Sequence, residues 1–208
     1  MKYLMSTAIL ISLLGTGCLK SPDFSTLSTN FVVVTKTDSL ANFSSYHTYY
    51  MSDSVATIST VTGDTIIKTA NSQKLVDAVK QNMSNRGYTF VPKGSNPDLG
   101  INMGVVKITN VGVVYPGWWA GYGGWWDPWY WGGYYPYYYP YAYAYVINTG
   151  SVIIDMIDRK NAGTNNSLRV VWGSVMGGAV GDNLDTNVQH GVDAINQAFA
   201  QTPQLSNK

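Results

Sequence analysis

The sequence predicts an α+β domain that has a mainly antiparallel sheet and two helices packed on one face. Several short segments rich in β-branched and aromatic residues predict strands. Two longer segments carry apolar residues at the spacing of one helix face. The order along the chain is strands, one helix, several strands and a last helix, which is typical of α+β domains. A single domain over residues 31–203 contains all of these elements.

The first predicted strands lie at the start of this domain. Phe31–Thr37 (FVVVTKT) and Tyr46–Met51 (YHTYYM) consist mostly of residues that favour an extended backbone. Residues 54–69 alternate weakly around the turn Thr62–Asp64, whose central residue is glycine. This pattern predicts a small hairpin.

The first helix is predicted over Gln73–Arg86. Its apolar residues recur at helical spacing and form one face: Leu75, Val76, Val79 and Met83. Asn71 or Ser72 can cap its start, because short polar side chains accept hydrogen bonds from the first free backbone N–H groups. Arg86 followed by Gly87 predicts its end.

The remaining strands precede and follow a segment dominated by aromatic residues. They are predicted at Tyr88–Val91, Leu99–Val114, 141–147, 151–158 and 168–178. The second of them is either one long strand or a bent pair, because Gly104 and Gly112 are candidate bulge sites. The third shows strict alternation, with tyrosines on one side and alanines on the other.

The last element is a helix that starts near Asn187 and ends before Pro203. Its apolar stripe consists of Val188, Val192, Ile195 and Phe199. Thr186 and Gln189 have the spacing of a capping box at the helix start. Residues 204–208 are expected to form a short tail.

The N-terminal residues 1–17 predict a signal peptide. Lys2 is followed by an apolar run, Leu4–Leu14, that is too short for a bilayer span of roughly 20 residues. Small residues then precede Cys18, an arrangement that resembles the bacterial lipobox, although Gly15 stands where leucine is usual. The resemblance implies cleavage before Cys18 and attachment of acyl chains such as palmitate; a plain secretory signal is the alternative. Residues 18–30 then form a lipidated, flexible tether.

Charge, cysteine content and histidine spacing argue against nucleic acid as a partner and against disulfides and metal sites. Without Lys2, twelve basic residues balance twelve acidic ones, so nucleic acid is not an expected partner. Cys18 is the only cysteine, which excludes a disulfide framework and a thiolate metal site. His47 and His190 have no second ligand at helical spacing, so neither a metal nor a cofactor is expected. The oligomeric state stays open.

The most unusual stretch is the aromatic insertion at about 115–140. The segment 115–145 contains six of the seven tryptophans and eleven of the sixteen tyrosines, with no Lys or Arg. Its prolines and glycines exclude a membrane-spanning helix. Four interpretations stay open: an insertion without a ligand, a surface for protein or glycan, a contact with the bilayer interface, and homotypic assembly. Its candidate binding residues are Trp118, Trp119, Trp125, Trp126, Trp129 and Trp131.

Four groups of residues together resemble an uncharacterised family of bacterial envelope lipoproteins, domain of unknown function 4136. The first group is Asp38 with Phe43, Tyr46, Thr48 and Tyr49, and the second is Arg86-Gly87-Tyr88 with Pro97-Asp98-Leu99. The third is Gly150, Ile154, Asp155 and Asp158, and the fourth is Val171-Trp172-Gly173 with Thr202-Pro203. The resemblance covers residues 31–203 and implies a fold and a location in the envelope, but no chemistry.

These observations lead to two hypotheses about function. The first is a non-enzymatic, lipid-anchored protein of the bacterial outer membrane, whose molecular activity is unknown and whose role is structural or in interaction. The alternative is an envelope enzyme that acts on cell-wall or surface glycan, with Asp155, Asp158 and the aromatic insertion as its site. These two carboxylates are three positions apart in the sequence, so a continuous strand would direct them to opposite faces. The membrane face that the domain occupies stays open.

Overall fold

The structure is a computed structural model that describes residues 31–59, 66–108, 113–114, 137–138, 145–146, 149–162, 168–181 and 184–208. Two helices and a mixed β-sheet make up this part of the chain, which confirms the α+β class. Neither of these helices is long and apolar enough to cross a membrane.

Eleven strands and two helices occur in the described part of the chain. The strands are β1 (Val32–Thr37), β2 (Thr48–Met51), β3 (Val55–Ile58), β4 (Ile66–Ile67), β5 (Thr89–Phe90), β6 (Leu99–Val106), β7 (Val113–Val114), β8 (Tyr137–Tyr138), β9 (Tyr145–Val146), β10 (Val152–Asp158) and β11 (Leu168–Gly177). The helices are α1 (Ala70–Asn85) and α2 (Leu184–Ala200). A short 3₁₀ turn, Phe43–Ser45, precedes β2.

The main sheet has the strand order β1-β11-β10-β6-β2-β5. Strand β3 pairs with β6 beyond the end of β2, and β4 pairs with β3. The two strands of the predicted hairpin therefore pair with each other. Its turn, Thr62–Asp64, falls outside the described residues. Strand β8 pairs with the start of β11. Strands β7 and β9 pair with each other as a separate ribbon.

The prediction of a mainly antiparallel sheet is wrong, because the sheet is mixed. Strand β10 is antiparallel to both β6 and β11, and β1 is antiparallel to β11. Strands β2 and β3, however, run parallel to β6, and β5 runs parallel to β2. The physical reason is the position of α1. Parallel neighbours need a crossover connection, and α1 supplies one between the first strands and β6.

The structure shifts the predicted bounds of several elements. Helix α1 begins three residues earlier than predicted, because its cap is Thr69 rather than Asn71 or Ser72. The Thr69 hydroxyl accepts a hydrogen bond from the Ser72 N–H, and the Ser72 hydroxyl accepts one from the Thr69 N–H. The predicted strand Leu99–Val114 is divided into β6 and β7.

Both helices pack on one face of the sheet, as predicted, and their apolar stripes meet there in a single core. The Trp172 ring lies 5.1 Å from the Phe199 ring, between β11 and α2. Gly191 brings α2 close to α1, because a Cβ at this position would lie only 2.7 Å from Leu75 Cδ2. A residue larger than glycine would therefore push the helices apart.

Helix α2 begins earlier than Asn187, the predicted start, and Asn187 itself has non-helical dihedral angles. Its side chain donates a hydrogen bond to the Val180 carbonyl, which ties the irregular first turn to the end of β11. The predicted stripe is confirmed: Ile195 and Phe199 are fully buried. The side chain of Thr186, half of the predicted capping box, is not among those that the structure describes.

The last five residues, expected as a tail, pack onto the end of α1. Leu205 is fully buried in the core. Asn207 donates its backbone N–H to the Arg86 carbonyl and its side-chain amide to the Gly87 carbonyl. Lys208 Nζ donates to the Asn85 carbonyl. These donors satisfy carbonyls that a helix C-terminus leaves without intrahelical partners.

We expect Gly87→Ala to destabilise the domain more than Gly94→Ala. Both glycines have a positive φ, +90° and +92°, which costs about 1 kcal/mol in an L-residue. A Cβ at Gly87 would also overlap Asn207 Oδ1, whereas no atom lies within 4 Å of a Cβ at Gly94. Urea unfolding should therefore show a cost about 1 kcal/mol larger for Gly87→Ala. Equal costs would show that docking of the last residues contributes nothing.

Candidate functional site

The predicted lipid site and the candidate binding tryptophans lie outside the described residues. Cys18 and the signal peptide precede residue 31, and the six candidate binding tryptophans, Trp118 to Trp131, fall between β7 and β8. Their roles stay predictions. Within the described residues, no group of three or more His, Cys, Asp or Glu side chains is placed to hold a metal ion, and both His47 and His190 are exposed.

Asp155 and Asp158 do not form an acid–base pair. Strand β10 keeps an uninterrupted register with β6 from Val152 to Asp158, so its side chains alternate regularly. Asp158 therefore lies on the helix-covered face, and Asp155 lies on the opposite one. This arrangement argues against the glycan enzyme that would use both carboxylates.

Asp158 instead belongs to a polar cluster where the chain enters β2. The Tyr46 hydroxyl donates a 2.7 Å hydrogen bond to Asp158 Oδ2. Asn161 donates its backbone N–H to Oδ1 and its side-chain amide to Oδ2. Burial and then the neighbouring Asp158 raise the pKa of Tyr46, so its phenol stays protonated and acts as a donor. Both oxygens of this buried carboxylate thus accept hydrogen bonds from the domain itself.

Asp38 anchors the segment that connects β1 to β2. Its side chain is almost fully buried and forms an ion pair with the Arg169 guanidinium, whose Nη2 lies 2.9 Å from Asp38 Oδ1. The same oxygen accepts the Leu40 N–H, and the Asp38 N–H donates to the Val171 carbonyl. A buried carboxylate needs such partners, because removing a charge from water is costly.

A cavity of about 320 Å³ lies beside this cluster, with Asp38, Tyr46, Asp158, Asn161 and Arg169 in its wall. The size suits a small polar molecule. The polar groups in the wall do not indicate a ligand site, because the carboxylates of Asp38 and Asp158 already accept hydrogen bonds from donors of the domain itself. The cluster is therefore a structural cross-link between the β1–β2 connection and strands β10 and β11.

Asp98 makes a similar connection at the start of β6. Its Oδ2 accepts hydrogen bonds from the backbone N–H groups of His47, at 2.7 Å, and Thr48, at 3.1 Å. The Thr48 hydroxyl in turn accepts the Asp98 N–H. Partial burial acts to raise the pKa of Asp98, but the hydrogen bonds from His47 and Thr48, together with the charge of Lys160, outweigh it and lower the pKa. The ionised carboxylate thus holds the start of β2 next to β6.

The other residues of the sequence resemblance form further cross-links. The Tyr88 hydroxyl donates to the Phe43 carbonyl. Trp172 Nε1 donates to the Thr202 hydroxyl, and the pair joins β11 to the end of α2. Arg86 donates to the Phe199 carbonyl and places its guanidinium 5.0 Å from the Phe199 ring. The motif residues therefore act mainly by fixing irregular segments to the core.

Sequence reasoning found Asp38, Tyr46, Asp98 and Asp158 through the resemblance, but it did not show which of them meet. The Tyr46–Asp158 contact joins residues 112 positions apart. It missed Arg169, for which the only signal is a lone basic residue within a predicted apolar strand. Buried carboxylates need a cation or several donors, so a search for the partner of Asp38 would have singled out Arg169.

The fold and the cluster together define a class of protein: an α+β domain in which polar cross-links fix irregular segments to a mixed sheet. A family model described as a domain of unknown function, DUF4136, matches residues 33–204. The chain belongs to the DUF4136 family, which confirms the family named in the resemblance, whereas its lipoprotein character stays a prediction. A comparison with curated proteins found no match.

The chain is also similar to solved structures. A DUF4136 family protein from Bacteroides thetaiotaomicron VPI-5482 is 33% identical, with a TM-score of 0.75; the alignment covers 87% of this chain and 100% of that one. A PelC dodecamer from Paraburkholderia phytofirmans is 13% identical, with a TM-score of 0.39, over 85% of this chain and 98% of that one. A PDZ domain protein from Parabacteroides distasonis ATCC 8503 is 14% identical, with a TM-score of 0.41, over 83% of this chain and 36% of that one. The last two likenesses carry no functional argument.

We expect the Tyr46–Asp158 hydrogen bond to stabilise the domain. Tyr46→Phe and Asp158→Asn each leave a buried polar group with fewer partners, and each should lower the free energy of unfolding by about 1–3 kcal/mol. In a double-mutant cycle, the double variant should lose about 1 kcal/mol less free energy of unfolding than the sum of the losses in the two single variants. Ser44→Ala, on the exposed side of the same segment, is the control and should change little. Additive losses would contradict the contact.

Proposed function

We propose that this protein is a lipid-anchored component of the bacterial outer membrane with a non-catalytic, interaction role. Lipid attachment is supported by the position of Cys18, the only cysteine, directly after the signal-peptide pattern of residues 1–17. The described domain begins at residue 31, so a stretch of mostly polar residues separates the lipid site from the first strand. Two or three acyl chains on one residue give stable attachment, since each buried CH₂ contributes about 0.8 kcal/mol.

The polar chemistry of the domain supports a role without catalysis. Asp155 and Asp158 lie on opposite faces, and the buried side chains of Asp38, Tyr46 and Asp158 hold one another or backbone groups in place. A catalytic carboxylate must instead reach a substrate. The interaction surface that we propose is the aromatic insertion, where rigid amphipathic rings supply contact area for a protein or for stacking glycan.

The anchor is tested by metabolic labelling with radioactive palmitate. The wild-type chain should incorporate label and remain with the membrane fraction, because its acyl chains are inserted in the bilayer. Cys18→Ser should incorporate none, and Ser21→Ala, a change within the tether, should behave as wild type. Label in the Cys18→Ser chain, or an unlabelled wild type, would contradict lipidation.

The interaction role is tested with a triple variant, Trp118→Ser, Trp125→Ser and Trp129→Ser. Cross-linking in native membranes, followed by purification and mass spectrometry, should recover fewer partner proteins or glycan fragments than the wild type, because aromatic anchors dominate binding energy. The matched control is Phe90→Ser, which removes an exposed aromatic ring elsewhere in the chain. Unchanged recovery from the triple variant would contradict the proposed surface, and a loss only in the control would place the contact elsewhere.

A further inference from the structure

The two edges of the main sheet differ in how well their open sides are protected. Strand β5 forms one edge, and β1 forms the other. Strand β5 has only two residues, Thr89–Phe90, and Pro92 follows it closely. Short strands and prolines are two of the means by which natural proteins prevent a sheet edge from pairing with another chain. Strand β1 has neither protection, because it is six residues long and contains no proline.

Strand β1 has the composition and regularity of a strand that pairs on both sides. It keeps an uninterrupted antiparallel register with β11 over all six residues. Lys36 is its one charged residue, and the other five are Val or Thr, which favour an extended backbone. Within the described part of the chain, no strand pairs with the outer side of β1, and Val32 is 52% exposed. An edge of this kind readily accepts a further strand.

The direction of the free backbone groups of β1 follows from its last contact with β11. The Asp38 N–H donates to the Val171 carbonyl, so alternate residues before Asp38 also direct their N–H and C=O groups towards β11. The residues between them direct theirs away from the sheet: Val33, Thr35 and Thr37. An added strand must form its hydrogen bonds with these three residues.

A second copy of β1 meets this requirement in an antiparallel arrangement with two-fold symmetry. When Thr35 of both copies lies at the axis, Val33 of each copy lies opposite Thr37 of the other. The outward-directed residues then form three hydrogen-bonded pairs, whereas an axis at Val34 would give only two. Lys36 lies opposite Val34 of the second copy, so like charges do not face each other across the strands.

The proposed lipid anchor favours a second copy over a segment of another protein, and this step rests on the proposed function. Cys18 and Val32 are fourteen positions apart, so β1 of each anchored copy lies within about 50 Å of the membrane. Confinement to one membrane surface raises the effective concentration of identical edges. A two-fold dimer also closes the assembly, because each copy uses its own β1 to cover that of the other.

We propose that β1 is a dimerisation edge, at which two copies of this chain join their main sheets across a two-fold axis at Thr35. The joined sheets form one continuous sheet, and the outward-directed N–H and C=O groups of each β1 gain partners in the other copy. The helices of both copies lie on their own sheets and leave the shared edge to the backbone.

The test is disulfide cross-linking of the full chain in native membranes. Thr35→Cys should give a covalent dimer under a mild oxidant, because the Cα atoms of a hydrogen-bonded pair lie about 5.5 Å apart, a distance that a disulfide spans. The matched control is Val33→Cys, on the same face of the same strand. The two Val33 positions would lie about 13 Å apart along the strands. The control should therefore give at least about tenfold less dimer.

A second variant tests the backbone hydrogen bonds. Val33→Pro, added to the Thr35→Cys chain, removes an outward-directed N–H and no hydrogen bond to β11. It should reduce the yield of dimer at least about fivefold, because one of the three hydrogen-bonded pairs loses a donor and its neighbour is displaced. Circular dichroism of the variant should match that of the parent chain.

Three outcomes would overturn the proposal: no dimer from Thr35→Cys, equal yields from Thr35→Cys and Val33→Cys, or an undiminished dimer after Val33→Pro. A Thr35→Cys cross-link to a different protein would assign the edge to that protein and would overturn it as well.

The same variants in a Cys18→Ser background, oxidised as concentrated purified protein, separate this inference from the proposed function. A dimer from Thr35→Cys in this background, together with a wild-type chain that takes up no palmitate, would refute the anchor and support the edge. A wild-type chain that is labelled with palmitate, without a Thr35→Cys dimer in either background, would refute the edge alone.

Discussion

The buried hydrogen bond between Tyr46 and Asp158 is the constraint on which the arrangement of the domain depends. It joins the irregular connection after β1 to the end of the central strand β10 across 112 positions of sequence. Asp38 fixes the beginning of the same connection through Arg169, and Asp98 fixes the chain just beyond it at His47 and Thr48. A segment with little regular structure is thereby held in one path, since buried polar groups pair only in particular geometries.

This constraint gives the polar residues of the sequence resemblance a structural role in this domain. Carboxylates such as Asp38 and Asp158, with nearby Arg169 and Tyr46, have the composition of a catalytic site and line a cavity of about 320 Å³. Their oxygens, however, serve as acceptors for donors of the domain itself. The two features on which the proposed function rests, Cys18 and the aromatic insertion, are not part of these polar cross-links.

The sequence predicted what depends on local periodicity and missed what depends on the path of the chain. The predicted apolar stripes of α1 and α2 are confirmed, because spacing alone determines which residues share a helix face. Parallel pairing of β2 and β3 with β6 was missed, because it follows from the crossover through α1 rather than from any strand's own sequence. Arg169 and the docked end at Leu205 were missed for the same reason: their partners, Asp38 and the core, lie far away in sequence.

Native-state hydrogen exchange of the β1–β2 connection tests the central claim most directly. If the polar cross-links hold this segment, the Asp38 N–H, which donates to Val171, and the Leu40 N–H, which donates to the Asp38 carboxylate, should exchange only through large openings of the domain. Their opening free energies should approach those of the amides of β10. Exchange at the rate of an exposed loop, with β10 still protected, would contradict the account.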